Sequence, residues 1–306
     1  MNIVFSVGTA GSGKSTMTSV LKEWLEGRGW DVATVNLDPG ARSLPYEPDA
    51  DVRSVIDIDE LMERHGLGPN GALMLAVDLT AARLREIVEP IDEASPDYVL
   101  VDTPGQMEPF VYRPSGPLIV EQFPGESKAM LFLMDGWLVS DPTNYVSVQF
   151  LAASVRLRFR VPFIQVLTKA DLVEDSVGRM LGWAASPSAL EAAISDKSGG
   201  ESYLVHRRLL SILVKSGYLE RPIPVSAVTG AGLLNLSSAL ANALTGGEDL
   251  QDRAPRRRGQ AMEPAALMAP LIAAAPDPAQ ETTTHSPSPG SGLTLSGYSQ
   301  LPSGNT

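Results

Sequence analysis

The chain has 306 residues, 43% of them hydrophobic and 20% charged, with a formal net charge of −12. That length and apolar content suit one large α/β domain with a tail, while the acidic balance excludes a general nucleic-acid binder, which needs a basic face for phosphates. The absence of cysteine excludes disulfides, thiolate metal sites and cysteine nucleophiles. The three histidines, His65, His206 and His285, are far apart in sequence and read as surface residues. The N-terminus enters an apolar strand with no charged-then-apolar leader, and no apolar run approaches the ~20 residues of a membrane span. The expectation is a cytoplasmic protein without a membrane partner.

Residues 3–7 predict a buried strand and residues 17–28 a helix. Between them, Gly8-Thr9-Ala10-Gly11-Ser12-Gly13-Lys14-Ser15-Thr16 has the spacing of a phosphate-binding P-loop. Glycines let backbone N–H groups turn inward around a polyphosphate, and the helix N-terminus adds partial positive charge. In such a loop Lys14 reaches the β- and γ-phosphates and the Ser15 hydroxyl ligates Mg²⁺. Gly11, Ser12, Gly13 and Thr16 complete the candidate phosphate site.

A second strand is predicted over 31–37, ending in the turn Asp38-Pro39-Gly40, with a polar, proline-bearing loop to about Asp51. Residues 53–64 predict one helix. Gly68-Pro69-Asn70-Gly71 breaks the chain, and read alone is a turn before a helix N-cap. Residues 72–94 predict one long helix. Further buried strands are predicted over 98–102, 129–134, 163–167 and 223–225, with helices near 143–158, 202–217 and 231–245. Apolar strands separated by helices predict a three-layer α/β fold, a mainly parallel central sheet with helices on both faces.

Three strand ends carry further chemistry. Asp102-Thr103-Pro104-Gly105-Gln106 offers a carboxylate for Mg²⁺, an N–H for the γ-phosphate and a glutamine to orient water. Thr168-Lys169-Ala170-Asp171 resembles the Asn-Lys-x-Asp guanine signature, with Thr in place of Asn. An aspartate there accepts from guanine N1–H and the 2-amino group together, which adenine cannot match. Val225-Ser226-Ala227 looks like the small-residue loop that backs the guanine.

These motifs together resemble the GPN-loop GTPases, P-loop GTPases of the dimerisation-activated class that includes signal-recognition and MinD-like proteins. The resemblance covers about residues 1–246, with a helical insertion of about 53–94 that carries Gly68-Pro69-Asn70. It implies a Mg²⁺-dependent enzyme that hydrolyses GTP to GDP and phosphate. Lys14, Asp38, Asn70, Gln106 and Glu108 would be catalytic, and Ser15, Asp38 and Asp102 would hold the metal. Gly11 to Thr16, Gly68, Pro69, Asn70, Thr168, Lys169, Asp171, Ser226 and Ala227 would bind nucleotide. It further implies a homodimer in which Asn70 faces the partner's site. The resemblance also supports an alternative output, a nucleotide-gated assembly factor for a macromolecular client of the RNA-polymerase type. A third reading, a P-loop kinase, rests on Arg113, Arg156, Arg158 and Arg160 as a basic lid.

Residues 247–306 are rich in Pro, Ser, Thr, Gly and Ala and predict a disordered tail. Within it, residues 262–274 are apolar enough for a transient helix, and Arg256-Arg257-Arg258 forms a short basic run in a solvated linker.

Overall fold

A computed structural model describes residues 1–197 and 200–245, side chains excepted at residues 200–202. The predicted tail over 247–306 lies outside the described residues. In chain order the first half runs β1 (Asn2–Gly8), α1 (Lys14–Glu26), β2 (Val32–Asn36), β3 (Ala50–Asp51), α2 (Ile58–His65), α3 (Pro69–Ala82), α4 (Leu84–Ala94), β4 (Tyr98–Asp102), α5 (Glu108–Val111) and α6 (Ser115–Gln122). The second half runs β5 (Ser127–Asp135), α7 (Gly136–Val139), α8 (Pro142–Arg158), β6 (Phe163–Thr168), α9 (Glu174–Ala185), α10 (Pro187–Lys197), α11 (Gly200–Lys215), β7 (Ile223–Pro224) and α12 (Leu233–Thr245).

The seven strands form one sheet in the order β3-β2-β4-β1-β5-β6-β7. Every pairing is parallel. The strands read as continuous apolar runs because helices cover both faces. Ile3, Phe5 and Val7 enter the core shared with α3, α4, α6 and α8–α11, while Val4 enters the core shared with α1 and α12. That alternation, one residue per face, makes β1 the centre of a three-layer sandwich. Phe5 meets Phe123 edge to face at 5.5 Å on the larger side.

The register then places the functional loops. β1 pairs with β4 so that Ser6 lies opposite Asp102, and β2 pairs with β4 so that Asn36 also lies opposite Asp102. The P-loop, the Asp38 turn and the Asp102 loop therefore leave the same edge of the sheet, side by side. In open parallel sheets such an edge, where the strand order reverses, is where ligands bind.

Several elements differ from the sequence reading. The helix predicted over 53–64 starts only at Ile58, because Asp57 caps it by accepting from the N–H groups of Asp59 and Glu60. Before it, Val52–Ser54 is a single 3-10 turn capped by Asp51. The long helix predicted over 72–94 is two helices, broken at Arg83, whose side chain donates to Val55 O at 2.7 Å. The Gly68-Pro69-Asn70 break is itself the beginning of α3, with Gly68 as N-cap and Pro69 in the first turn. The two-residue edge strand β3 and the helices α9 and α10 carry no signal that the sequence reading used.

Candidate functional site

The P-loop follows from backbone constraints. A Cβ on Gly8 would stand 2.4 Å from Leu133 O, so only glycine lets β1 pass this close to β5. Gly13 caps α1 with a φ of 87°, the left-handed conformation that glycine adopts without strain. Lys14 is buried, and its ammonium donates to Gly8 O (3.0 Å), Thr9 O (3.2 Å) and Gly105 O (2.8 Å). Its three protons thus join the P-loop to the loop after β4. Burial pulls the Lys14 pKa down, against the opposing fields of Asp102, Asp38 and Glu108.

Those carboxylates surround the lysine in different ways. Asp38 accepts from Gly105 N at 2.7 Å and from Gly40 N at 2.9 Å, and its own N–H donates to Asn36 Oδ1. One side chain therefore ties the turn after β2 to the loop after β4. Asp102 is 1% exposed; its Oδ2 accepts from Tyr46 at 3.1 Å, and its Oδ1 is buried with no partner. Burial pushes its pKa up to about 6, while the neighbouring Ser15 hydroxyl, Tyr46 and Lys14 pull the other way. Gln106 is exposed on the loop after β4, and Glu108 is exposed at the start of α5.

On the far side of the P-loop, Thr168 is buried with Oγ1 at 2.8 Å from Ser12 O and 3.0 Å from Met134 O. The residue that departs from the guanine signature thus holds the P-loop against β5 and β6. Lys169 follows in a left-handed turn, φ 55°, and pairs with Asp135 at 2.7 Å. Asp135 also accepts from the N–H of Trp137, which is 71% exposed. Asp171 lies in the next 3-10 turn, Ala170–Val173, with its side chain half-buried. Ala170 N donates to Val225 O, which brings the loop after β7 alongside. In that loop Ser226 is buried, its Oγ accepts from Thr229 N at 3.1 Å, and Ala227 packs on the smaller core.

The structure thus brings together Lys14, Ser15, Asp38, Asp102 and Glu108 at one end, and Thr168, Lys169, Asp171, Ser226 and Ala227 at the other. Asn70 stands apart: it is exposed in the first turn of α3. α3 does approach the site through Leu73, which lies beside Gly40. The sequence reading passed over Tyr46 and Asp135. For Asp135 the available signal was an aspartate closing a buried strand ahead of a glycine; for Tyr46 there was none. Of the four arginines considered for a kinase lid, Arg113 pairs with Asp78 and Arg156 with Glu220. Arg158 donates to Val111 O and Tyr112 O. These three are committed to holding helices rather than to a pocket.

A glycine loop closed by a buried lysine, with carboxylates at neighbouring strand ends of a parallel sheet, defines a P-loop nucleotide-binding protein. The family model described as "Conserved hypothetical ATP binding protein" matches residues 6–246. The GPN-loop GTPase PAB0955 of Pyrococcus abyssi is 40% identical over 175 residues, which are 56% of this chain and 69% of that one. The GPN-loop GTPase QQT2 of Arabidopsis thaliana is 31% identical over 230 residues, 74% of this chain but 60% of its own length. The crystal structure of PAB0955, described as a GTPase in apo form, superposes with a TM-score of 0.68 and 33% identity, covering 79% of this chain and 96% of that one. This chain belongs to the GPN-loop GTPase family and is a GTPase by that membership. Among the described residues, no helix is long and apolar enough to cross a membrane.

Proposed function

We propose that this chain hydrolyses GTP to GDP and phosphate with Mg²⁺, in a dimer whose loops signal the nucleotide state. The observation that carries the reading is the Lys14 ammonium, held where the P-loop meets Gly105 with Asp102, Asp38 and Glu108 in its field. The residues fit a magnesium ion: Asp102 Oδ1 is a buried acceptor with no partner, and the Ser15 hydroxyl is its neighbour. Among the described residues no cluster of three or more acidic or histidine side chains would hold an ion unaided. Ser15, Asp102 and Asp38 would share it with the phosphates, the usual arrangement for Mg²⁺. When bound, the ion neutralises charge on the β- and γ-phosphates.

The chain's own groups supply the rest. P-loop amides and Lys14 bind the phosphates. Gln106, exposed on the loop that Asp38 fastens, and Glu108, exposed at the start of α5, orient water in line with the γ-phosphate. Little proton removal is needed early in phosphoryl transfer, so no strong base is required. Asp171 accepts from the guanine edge, and Lys169, steadied by Asp135, lays its stem over the base. Asn70 supports the partner's site. A neutral amide stabilises charge less than a guanidinium does, so turnover is slow, about 10⁻⁴–10⁻² s⁻¹.

Phosphate release from GTP tests the assignment. Lys14→Ala abolishes it and Gln106→Ala slows it, while unchanged rates in both reject the roles. Titration with GTP against ATP, with mass measured in each state, tests base choice and dimerisation together. The bond from Gly105 to Asp38 also favours the second output, nucleotide-gated binding of a protein client, because one contact couples both loops beside the γ-phosphate. Capture of the same client with GDP and with a non-hydrolysable GTP analogue alike would count against it.

A further inference from the structure

The loop between Asp38 and β3 is fastened on both sides of one side chain. Ser19 of α1 donates to Pro45 O at 3.3 Å, and Thr34 N of β2 donates to the Asp49 carboxylate at 2.7 Å. Arg53, itself paired with Asp51, donates to Ala41 O at 2.8 Å. Between these anchors Tyr46 turns inward and gives its proton to Asp102 Oδ2 at 3.1 Å. Burial and the adjacent Asp102 charge disfavour the phenolate, so Tyr46 remains a donor. Its contact leaves Asp102 with one oxygen held and the other, Oδ1, buried and unpartnered. A carboxylate gripped on one side has a fixed orientation and a single open acceptor. Freed of that grip, it could turn to satisfy itself elsewhere.

We propose that Tyr46 is a positioning residue for the metal-binding carboxylate: its hydroxyl fixes Asp102 so that Oδ1 is presented to the cation, and it thereby couples the loop 38–51 to metal occupancy. The inference rests on the nucleotide reading above. It differs from that reading in placing a loop residue, outside every motif, in control of how strongly the bound nucleotide recruits Mg²⁺. Tyr46 acts through Asp102, the partner of its hydroxyl.

The test is Tyr46→Phe in the full chain, with GDP affinity measured by equilibrium dialysis in excess chelator and across a Mg²⁺ titration. Chelator affinity stays within about twofold of the unaltered protein. The Mg²⁺ concentration giving half of the affinity gain rises about tenfold, the size of losing one hydrogen bond to a charged group. An equal weakening with and without Mg²⁺ would mean that Tyr46 only packs the loop, and would overturn the proposal, as would an unchanged Mg²⁺ midpoint. In Asp102→Asn, where the Mg²⁺ gain is lost, adding Tyr46→Phe changes nothing further; an additional loss there overturns it too. If the unaltered protein bound no GDP under either condition, the nucleotide reading itself would fail first.

Discussion

Thr168 decides whether the P-loop is held by its own backbone or by a neighbouring strand. Thr168→Val keeps the shape and removes the hydroxyl. Two contacts go, to Ser12 O and to Met134 O, at a residue that is 3% exposed. Met134 O belongs to a strand and has the sheet around it, but Ser12 O lies in the loop and depends on this donor. A lost hydrogen bond is worth about 1 kcal/mol, and a buried carbonyl left without a donor adds about as much again, so the variant loses about 2 kcal/mol. For a domain of this size that lowers the apo melting temperature by roughly 4–8 °C. The same loosening reaches the phosphates, so GDP binds about tenfold more weakly, equivalent to about 1.4 kcal/mol. Thermal unfolding followed by circular dichroism and a GDP titration read both effects. Thr168→Asn carries an amide donor toward the same carbonyl and retains most of the affinity that valine loses. A valine variant that melts within about 1 °C of the unaltered protein and binds GDP equally well would refute the anchoring role.

Gly232→Ala forces a Cβ to 1.9 Å from Pro224 O at a φ of 84°, so it costs more than about 2 kcal/mol and disturbs the Ser226 loop; an unchanged urea midpoint would contradict this. Burial holds the Asp102 carboxyl up at about 6, above the ordinary carboxylate range, so the native state keeps an extra proton in that window and stability falls as pH rises through it. Asp102→Asn removes this slope and abolishes the Mg²⁺ effect on GDP affinity; an apo variant that keeps the parent's pH slope between about pH 4 and 6 would sink the reasoning. Arg113 holds the Asp78 carboxyl below the ordinary range, so their contribution is present above about pH 4 and lost as pH falls through the lowered value. The pair is over a third exposed, so Arg113→Met costs under about 1 kcal/mol and flattens the acid limb of the stability curve; an unaltered acid limb would show that the pair is inert.

The parts of the site legible in the sequence are those whose chemistry acts over short spacing. Gly8 to Thr16 carries its glycines and lysine at a fixed spacing, and Asp102 and Thr168 close buried strands, so apolar runs ending in polar letters located them. What stayed hidden depends on contacts between distant segments. Arg83 breaks a helix because its guanidinium reaches Val55 O, and nothing in residues 72–94 announces that bond. β3 exists because Ala50 and Asp51 meet Val35 and Asn36, two residues too few to leave a pattern. Tyr46 carries no local signal because its partner is 56 positions away. Gly68-Pro69-Asn70 was legible as an unusual string, yet its form as the first turn of α3 follows from ordinary helix-start preferences.

The chain's four tryptophans are unequally placed. Trp183 is buried against Tyr145, Trp30 packs on Tyr98, and Trp24 lies under the Arg28 guanidinium. Trp137 stands in solvent, with its backbone on the same aspartate that steadies Lys169. The protein therefore carries its own fluorophore at the rim of the proposed base site. A soluble quencher reaches Trp137 more readily than the half-buried Trp24 and Trp30 or the buried Trp183, so arrival of a nucleobase can be read as shielding of the most exposed, red-edge emission, with no dye attached and no residue changed.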